Sequence, residues 1–154
     1  MRNVLLPLVA AMAVAASPAL ANEGRIEGHG GVVWNHDDAE ATAGAAVGYD
    51  WDVGNAGFVG LETSADKVLD SNQRVSFGVG GRAGIKAGEA GKLYAVTSYQ
   101  SKNCRTCEEE ITGGAGYQHN FGEKLYGKVE YRHHFVGNGV TDYDGAVAGL
   151  GVRF

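Results

Sequence analysis

The residues with the most obvious chemical potential are two cysteines in a C-x-x-C motif. Cys104 and Cys107 lie within the polar segment 101–110. A thioredoxin-type site would need the first cysteine at the start of a helix in a βαβ unit, and zinc would need two more ligands at suitable spacing. The sequence around the motif offers neither. In an exported chain we therefore expect a local disulfide that pins the tip of this segment.

Two adjacent histidines, His133 and His134, invite an enzymatic interpretation. Consecutive residues of a strand point to opposite faces, so the two rings cannot share a metal or act as a dyad. The residues that follow His134 include no serine, so nucleophilic catalysis lacks its nucleophile. We expect no enzyme, no catalytic residue, no metal and no cofactor.

The third candidate set consists of charged residues at polar positions of strand-like segments, where they could line a barrel interior. Its members are Glu27, Glu62, Arg82, Lys128, Glu130, Arg132 and Arg153. Charges inside so narrow a barrel must be paired, because an isolated buried charge costs several kcal/mol. We predict a charge network that plugs the lumen, with Glu27 and Arg153 paired where the barrel closes. A narrow pore that opens when the network rearranges is the alternative.

Alternation with a period of two identifies the elements that would position these charges. In the terminal segment 142–154, one face carries Val152, Leu150, Ala148 and Ala146, and the other carries glycine and charge. The same pattern recurs in seven earlier segments: 25–35, 42–52, 58–65, 75–86, 92–100, 111–121 and 124–135. Strands of about 9–11 residues suffice to cross a bilayer in a barrel.

The connections between these segments alternate between long and short. The long loops are 35–41, 66–73, 101–110 and 137–141. Outer-membrane barrels have long extracellular loops and short periplasmic turns. The pattern predicts an all-β, eight-stranded, antiparallel, up-and-down transmembrane β-barrel with extracellular long loops and both termini periplasmic.

The N-terminal segment supplies the cellular context. Arg2 precedes the apolar run 4–16, and Ala19 and Ala21 form a small-residue cleavage pattern. A membrane anchor is the alternative, but the run is shorter than the ~20 residues that a spanning helix needs. We predict a signal peptide over residues 1–21 and a barrel domain over 22–154.

Composition narrows the function classes. The chain has 25 glycines in 154 residues, more than double the ~7% average. Glycine at this density within strands suggests tight curvature or a crowded lumen. The net charge of −5 disfavours a nucleic-acid partner, since phosphate binding needs clustered Lys and Arg.

Aromatic residues fall near both ends of the predicted strands, as in the aromatic girdles of membrane barrels. Those near the short turns are Trp51, Phe121 and Phe154, and those near the long loops are Trp34, Tyr99 and Phe135. A soluble lipocalin-type or avidin-type barrel is the rival architecture. It would place the apolar set inside and the charges in solvent.

The last hairpin carries a resemblance to a known family. The segments VEYRHHF (129–135) and GAVAGLGVRF (145–154) resemble the final hairpin of the opacity-type, OmpA-like small outer-membrane barrels, a group of porin-like surface antigens of Gram-negative bacteria. In this group the terminal phenylalanine, here Phe154, belongs to the signal that the outer-membrane assembly machinery reads. The resemblance implies a monomer in contact with outer-membrane lipid and lipopolysaccharide. It does not extend to the peptidoglycan-binding domain of larger relatives, so no wall-tethering role is implied.

Function is expected to be structural or to involve surface contact. A narrow solute or ion pore is the second hypothesis, and an enzyme that modifies lipid A is the third. Acidic residues are expected to form a solvated rim on the long loops, with divalent-cation or partner binding as alternatives. This set is Asp37, Asp38, Glu40, Asp66, Asp70, Glu108, Glu109, Glu110, Asp142 and Asp144.

Overall fold

The computed structural model describes most of the chain beyond the predicted signal peptide. The described residues are 22–36, 38–71, 73–104, 107–137 and 139–154. The signal-peptide prediction for residues 1–21, and Asp37 of the acidic set, lie outside them.

The described chain forms eight antiparallel strands in one closed sheet. They are β1 Glu23–Trp34, β2 Ala39–Val53, β3 Gly57–Val68, β4 Ser76–Ala87, β5 Gly91–Gln100, β6 Glu110–Phe121, β7 Leu125–Phe135 and β8 Tyr143–Arg153. Each strand pairs with the next, and β1 pairs with β8 to close the barrel. The predicted eight-stranded up-and-down barrel is confirmed. No helix among the described residues is long and apolar enough to cross a membrane.

Three short turns join strands at one end of the barrel. They begin with Gly54, Gly88 and Gly122, whose φ angles are 65°, 74° and 82°. Glycine adopts this left-handed conformation without the steric cost that a Cβ would add. These turns match the three short connections expected from the sequence.

Two strands extend further than the alternation predicted, toward the long-loop end. β2 begins at Ala39 rather than at Thr42, and β3 continues to Val68, so the predicted loops 35–41 and 66–73 are too long. The prediction of a loop at Asp66 is wrong, because it took a polar side chain as a sign of exposure to solvent. Its side chain points into the barrel, where the interior is polar, so a carboxylate is compatible with a strand there.

The side chains are sorted opposite to those of a soluble barrel. Leu150 is 71% exposed on the outer face and Phe77 is 65% exposed, whereas Arg25 and Asp50 are fully buried. The lipocalin-like alternative is therefore wrong for this chain. The same criterion identifies the inner face of β5, because Tyr94 is buried.

Glycines on the inner face make room for large polar side chains. A Cβ added at Gly48 would lie 2.5 Å from the Arg25 guanidinium, and one at Gly116 would lie 2.5 Å from the Tyr94 ring. Such approaches are too close for any other residue without rearrangement. Much of the glycine content therefore reflects a crowded interior.

Candidate functional site in the barrel interior

Six charged side chains form a closed ring across the middle of the lumen, with cations and anions alternating. In order around the charge ring they are Arg25, Glu27, Lys128, Glu130, Arg132 and Glu62. They come from inner-face positions of β1, β3 and β7. The ring combines residues up to about a hundred positions apart in sequence.

Each cation of the charge ring contacts an anion on both sides. Arg25 Nη1 lies 2.6 Å from Glu62 Oε2 and 3.5 Å from Glu27 Oε2. Arg132 donates from Nε to Glu130 at 2.5 Å and from Nη2 to Glu62 at 3.1 Å. The two Arg132 contacts are charge-assisted hydrogen bonds, which are stronger than neutral ones, whereas Arg25 contacts its carboxylates as ion pairs.

Lys128 completes the charge ring between its two glutamates. Its ammonium contacts Glu27 Oε1 and lies 3.4 Å from Glu130 Oε2. Tyrosine hydroxyls supply further donors, since Tyr126 donates to Glu27 at 2.6 Å and Tyr94 donates to Glu130 at 2.8 Å. Glu27 and Glu130 are thus held by both cations and phenols.

A second cluster, centred on Asp50, continues the network toward the short turns. Arg82 donates to both oxygens of Asp50, at 3.0 and 2.5 Å, and Lys92 donates to Asp50 at 3.1 Å. Asp50 also lies 3.6 Å from Arg25, which links this cluster to the charge ring. Glu23 accepts from Lys92 and from Arg153, each at 2.8 Å, and carries the network to the barrel end.

Aromatic rings fill the interior beside this cluster. Phe58 is almost fully buried, and its ring packs against Tyr94 with centroids 6.4 Å apart. The Arg82 guanidinium lies over both rings, 4.8 Å from Tyr94 and 5.4 Å from Phe58. Cations favour the faces of aromatic rings, so these groups pack as one unit across the lumen.

Charge is balanced among the buried side chains of the described residues. The four buried cations are Arg25, Arg82, Lys92 and Lys128, and the four buried anions are Glu27, Asp50, Glu62 and Glu130. Removing water from a charge is expensive unless a partner compensates it. The balance explains how so narrow a barrel tolerates this many ions.

The predicted network residues fall in two places, and one predicted pair is wrong. Five of them belong to the charge ring, while Arg82 joins Asp50 and Arg153 joins Glu23 at the barrel end. Glu27 does not pair with Arg153. Glu27 aligns with Gly151 on β8, and Arg153 lies two residues further toward the short turns, where Glu23 is within reach.

Sequence reasoning missed four members of the network: Glu23, Arg25, Asp50 and Lys92. All four occupy inner-face positions. Applying the alternation to every ionisable residue of the predicted strands would have found Arg25, Asp50 and Lys92, whereas Glu23 precedes the predicted first strand.

A polar layer lies between the charge ring and the long loops. Asp66 Oδ1 lies 2.6 Å from His29 Nε2, and Asp66 Oδ2 accepts from Ser64 at 2.6 Å. Glu110 accepts from Tyr143 at 2.8 Å and is 2.9 Å from His134 Nδ1. Asp66 and Glu110 therefore face the lumen, which corrects their assignment to an acidic loop rim.

The two adjacent histidines lie on opposite faces of β7, as the strand period requires. His134 is inside, stacked on Tyr143 with centroids 4.2 Å apart. His133 is outside, with Nδ1 2.7 Å from Asp144, which also accepts from Tyr131 at 2.6 Å. Among the described residues, no group of three His, Cys, Asp or Glu is arranged to hold a metal ion.

The β5–β6 loop contains the two cysteines. Cys104 and Cys107 are joined by a disulfide with an S–S distance of 2.04 Å. In the same loop Lys102 lies 3.2 Å from Glu108 and 3.4 Å from Glu109. The hydrogen bond to Glu108, followed by that to Glu109, raises the pKa of Lys102 above its usual range. The Lys102 ammonium is exposed, so its ion pairs contribute little to the free energy of unfolding.

All six residues of the predicted girdles lie on the outer face near strand ends. Trp51, Phe121 and Phe154 are exposed toward the short turns. Toward the long loops, Tyr99 and Phe135 are exposed, and Trp34 packs against the outward ring of Tyr131. The Phe154 backbone exchanges two hydrogen bonds with Gly24, at 2.8 and 2.9 Å, and so takes part in barrel closure.

Known structures with the same architecture are distant in sequence. Neisserial surface protein A is 12% identical, with a TM-score of 0.63 over 86% of this chain and 95% of that one. The N-terminal β-barrel domain of Pseudomonas aeruginosa OprF is 16% identical, with a TM-score of 0.59 over 88% of this chain and all of that one. Ail, the attachment invasion locus protein of Yersinia pestis, is 14% identical, with a TM-score of 0.60 over 86% and 98%.

The chain has the fold of the small eight-stranded outer-membrane barrels. No family model and no curated protein matches the sequence. At these identities the likeness establishes the fold alone, so the function must be argued from the arrangement of side chains.

Proposed function

We propose that this protein is an outer-membrane β-barrel protein of a Gram-negative bacterium with a structural or surface-contact role and a lumen closed by ion pairs. The observation that carries the proposal is the sorting of side chains, with an apolar outer face around a paired ionic interior. Lipid favours such an outer face, whereas water disfavours it. The expected partners are outer-membrane lipid, lipopolysaccharide and the outer-membrane assembly machinery.

The strand lengths and aromatic positions support a membrane-spanning barrel. The strands have 10 to 15 residues, enough to cross the bilayer at the usual tilt. Outward aromatics near both strand ends suit the two membrane interfaces. The predicted signal peptide and the three short turns favour long loops outside the cell and both termini in the periplasm.

Fractionation tests the location, and gel mobility tests the fold. The full chain, expressed in a Gram-negative host, should sediment with the outer membrane. Unheated samples in detergent should migrate differently from boiled ones, as folded membrane barrels do. Recovery in the soluble periplasmic fraction, with no heat-dependent mobility, would refute the membrane role.

Conductance in planar bilayers tests the closed lumen. The charge ring and the Phe58, Tyr94 and Arg82 cluster lie across the lumen, so we expect no steady ion current. The narrow pore remains the second candidate, because polar cavities lie on both sides of this region, of about 60 Å³ and about 180 Å³. Reproducible single-channel steps from purified protein would favour the pore.

Surface contact is the role that we favour over catalysis. One structure of the similar Ail barrel is a complex with the heparin analogue sucrose octasulfate.

His133 is outside and bonded to Asp144, but no serine of this strand accompanies it. Lipid A from cells with and without the gene should therefore have identical mass spectra, and a lost acyl chain would support the enzyme hypothesis instead.

A further inference from the structure

Two neighbouring chambers lie between the charge ring and the long loops, at the long-loop end of the lumen. The inner chamber has a volume of about 60 Å³, and Asp66, Gln100, Glu110 and Tyr143 contribute to its lining. The outer chamber has a volume of about 230 Å³. It is lined in part by Asp38, Glu40, Gln73, Asn103 and Tyr143. Asn103 and Tyr143 line both chambers, so the two are adjacent.

The chambers carry carboxylates that no Lys or Arg neutralises. Among the described residues, Asp66 pairs only with His29 and Glu110 only with His134 at salt-bridge distance. In the outer chamber, neither Asp38 nor Glu40 is in a salt bridge with a described residue. The cations of the floor, Lys128 and Arg132, are already engaged by ring glutamates. The His29 ring balances Asp66 when it is protonated, so the unmatched negative charge of the chambers belongs to Glu110, Asp38 and Glu40.

An unpartnered acceptor faces the inner chamber. Gln100 is 4% exposed, and its Oε1 has no hydrogen-bond partner among the described residues. A Cβ placed at Gly78 would lie 2.5 Å from Ser64 Oγ and 2.6 and 2.7 Å from Gln100 Nε2 and Oε1, so the hydroxyl and the amide converge there. A buried carbonyl oxygen without a donor destabilises the folded protein. A ligand that donates hydrogen bonds would remove this destabilisation.

The outer chamber repeats the pattern. Gln73 Oε1 is also buried without a partner among the described residues. Oxygen acceptors and carboxylates thus line both chambers, and the only lysine and arginine among their described lining residues, Lys128 and Arg132, are paired with ring glutamates. This complementarity specifies a positively charged ligand with several N–H donors.

We propose that the long-loop mouth of the barrel binds a small linear alkylammonium ion, with its ammonium group in the inner chamber between Gln100, Asp66 and Glu110. A water needs about 10–15 Å³ of such space, so the inner chamber admits an ammonium group with a methylene or two. The remaining alkyl chain occupies the outer chamber. A second ammonium at its far end meets Asp38 and Glu40, so a diamine binds better than a monoamine.

Nuclear magnetic resonance titration of the folded protein with putrescine tests this site. The protein is held in dodecyl maltoside micelles, because a neutral headgroup does not compete as a choline headgroup would. We expect shifts of the Gln100 side-chain amide and the Gly78 backbone amide, with a dissociation constant on the order of a millimolar or below. Butylamine should bind more weakly, and butane-1,4-diol and succinate should not bind.

Charge-matched variants separate the site from general electrostatics. Glu110→Gln and Glu89→Gln each remove one negative charge, but Glu89 lies in a short turn at the opposite end of the barrel. Glu110→Gln should weaken putrescine binding roughly tenfold, as expected for a hydrogen bond to a charged group, and Glu89→Gln should leave it unchanged. Asp38→Asn changes an exposed residue and should also weaken binding. It provides the test if Glu110→Gln fails to fold.

Three results would overturn the proposal. If butane-1,4-diol bound as tightly as putrescine, the site would not recognise charge. Shifts confined to the short-turn end would place the site elsewhere. Equal affinities of the Asp38→Asn and Glu89→Gln variants would show that the mouth carboxylates play no part.

Discussion

Arg25 shows at the scale of single residues why the interior needs all of its ions. Its side chain has no exposed surface, and Glu62, Asp50 and Glu27 lie within 3.6 Å of its guanidinium. Arginine stays protonated in proteins, so it cannot escape burial by losing its charge. The three neighbouring carboxylates likewise need its positive charge to compensate their burial.

Removal of Arg25 should be among the most damaging single changes. Arg25→Met keeps the aliphatic volume but leaves buried carboxylates uncompensated, at a cost of about 3–5 kcal/mol in the free energy of unfolding. Urea titration in phospholipid vesicles, followed by tryptophan fluorescence, measures this cost. Lys102→Met, which breaks an exposed pair in the β5–β6 loop, is the control and should leave the midpoint unchanged. Equal midpoints for both variants would show that the network does not stabilise the fold.

The cysteines should contribute to the loop rather than to the barrel. Cys104 and Cys107 enclose only two residues, so the disulfide restrains the unfolded chain little. We expect that a thiol reagent labels neither cysteine in the unreduced folded protein. The Cys104→Ser and Cys107→Ser double variant should keep the urea midpoint of the parent. Two reactive thiols before reduction would contradict the disulfide.

At the scale of the strand, the alternating faces impose different demands on neighbouring residues. Gly113 and Gly114 are adjacent on β6, yet a Cβ at Gly113 would have 3.6 Å of space to its nearest neighbour. A Cβ at Gly114 would collide with the β7 backbone, including Arg132 Cα at 2.9 Å. The inner face thus requires glycine where two strands approach each other closely.

The pair of glycines offers a matched test of this crowding. Gly114→Ala should destabilise the barrel by about 1–3 kcal/mol, because the neighbouring backbone must shift. Gly113→Ala adds the same methyl group to the outer face and should have little effect. Urea midpoints of the two variants in the same vesicles give the comparison, and similar losses would mean that the faces are not distinguished by packing.

For the whole molecule, the decisive property is which face meets lipid. The outer face is apolar over most of the strand length, with His133 and Asp144 as polar exceptions near the long loops, and most polar side chains meet one another inside. This arrangement is stable only if a membrane covers the outer face. In water the same molecule would expose a large apolar surface and aggregate.

Lysine scanning measures this sidedness directly. Val129 lies at the middle of β7 on the outer face, and Val140 lies in the β7–β8 loop. Both side chains are exposed. Val129→Lys should cost about 2–4 kcal/mol in vesicles, as expected for a charge near the bilayer midplane, whereas Val140→Lys should cost nothing. If both lysines were tolerated equally, lipid would not surround the barrel.

The amino-acid sequence by itself determined the architecture, because a period of two over eight segments and alternating loop lengths depend only on local order along the chain. It also assigned most ionic residues to one face, as Glu62, Lys128 and Glu130 show. Only the tertiary structure decided which ions pair. Partners such as Arg25 and Glu62, or Glu23 and Lys92, meet across the lumen, and barrel closure and strand register set those distances. For the same reason Asp66 became a lumen residue rather than a loop residue, since polarity alone does not distinguish an enclosed polar interior from solvent.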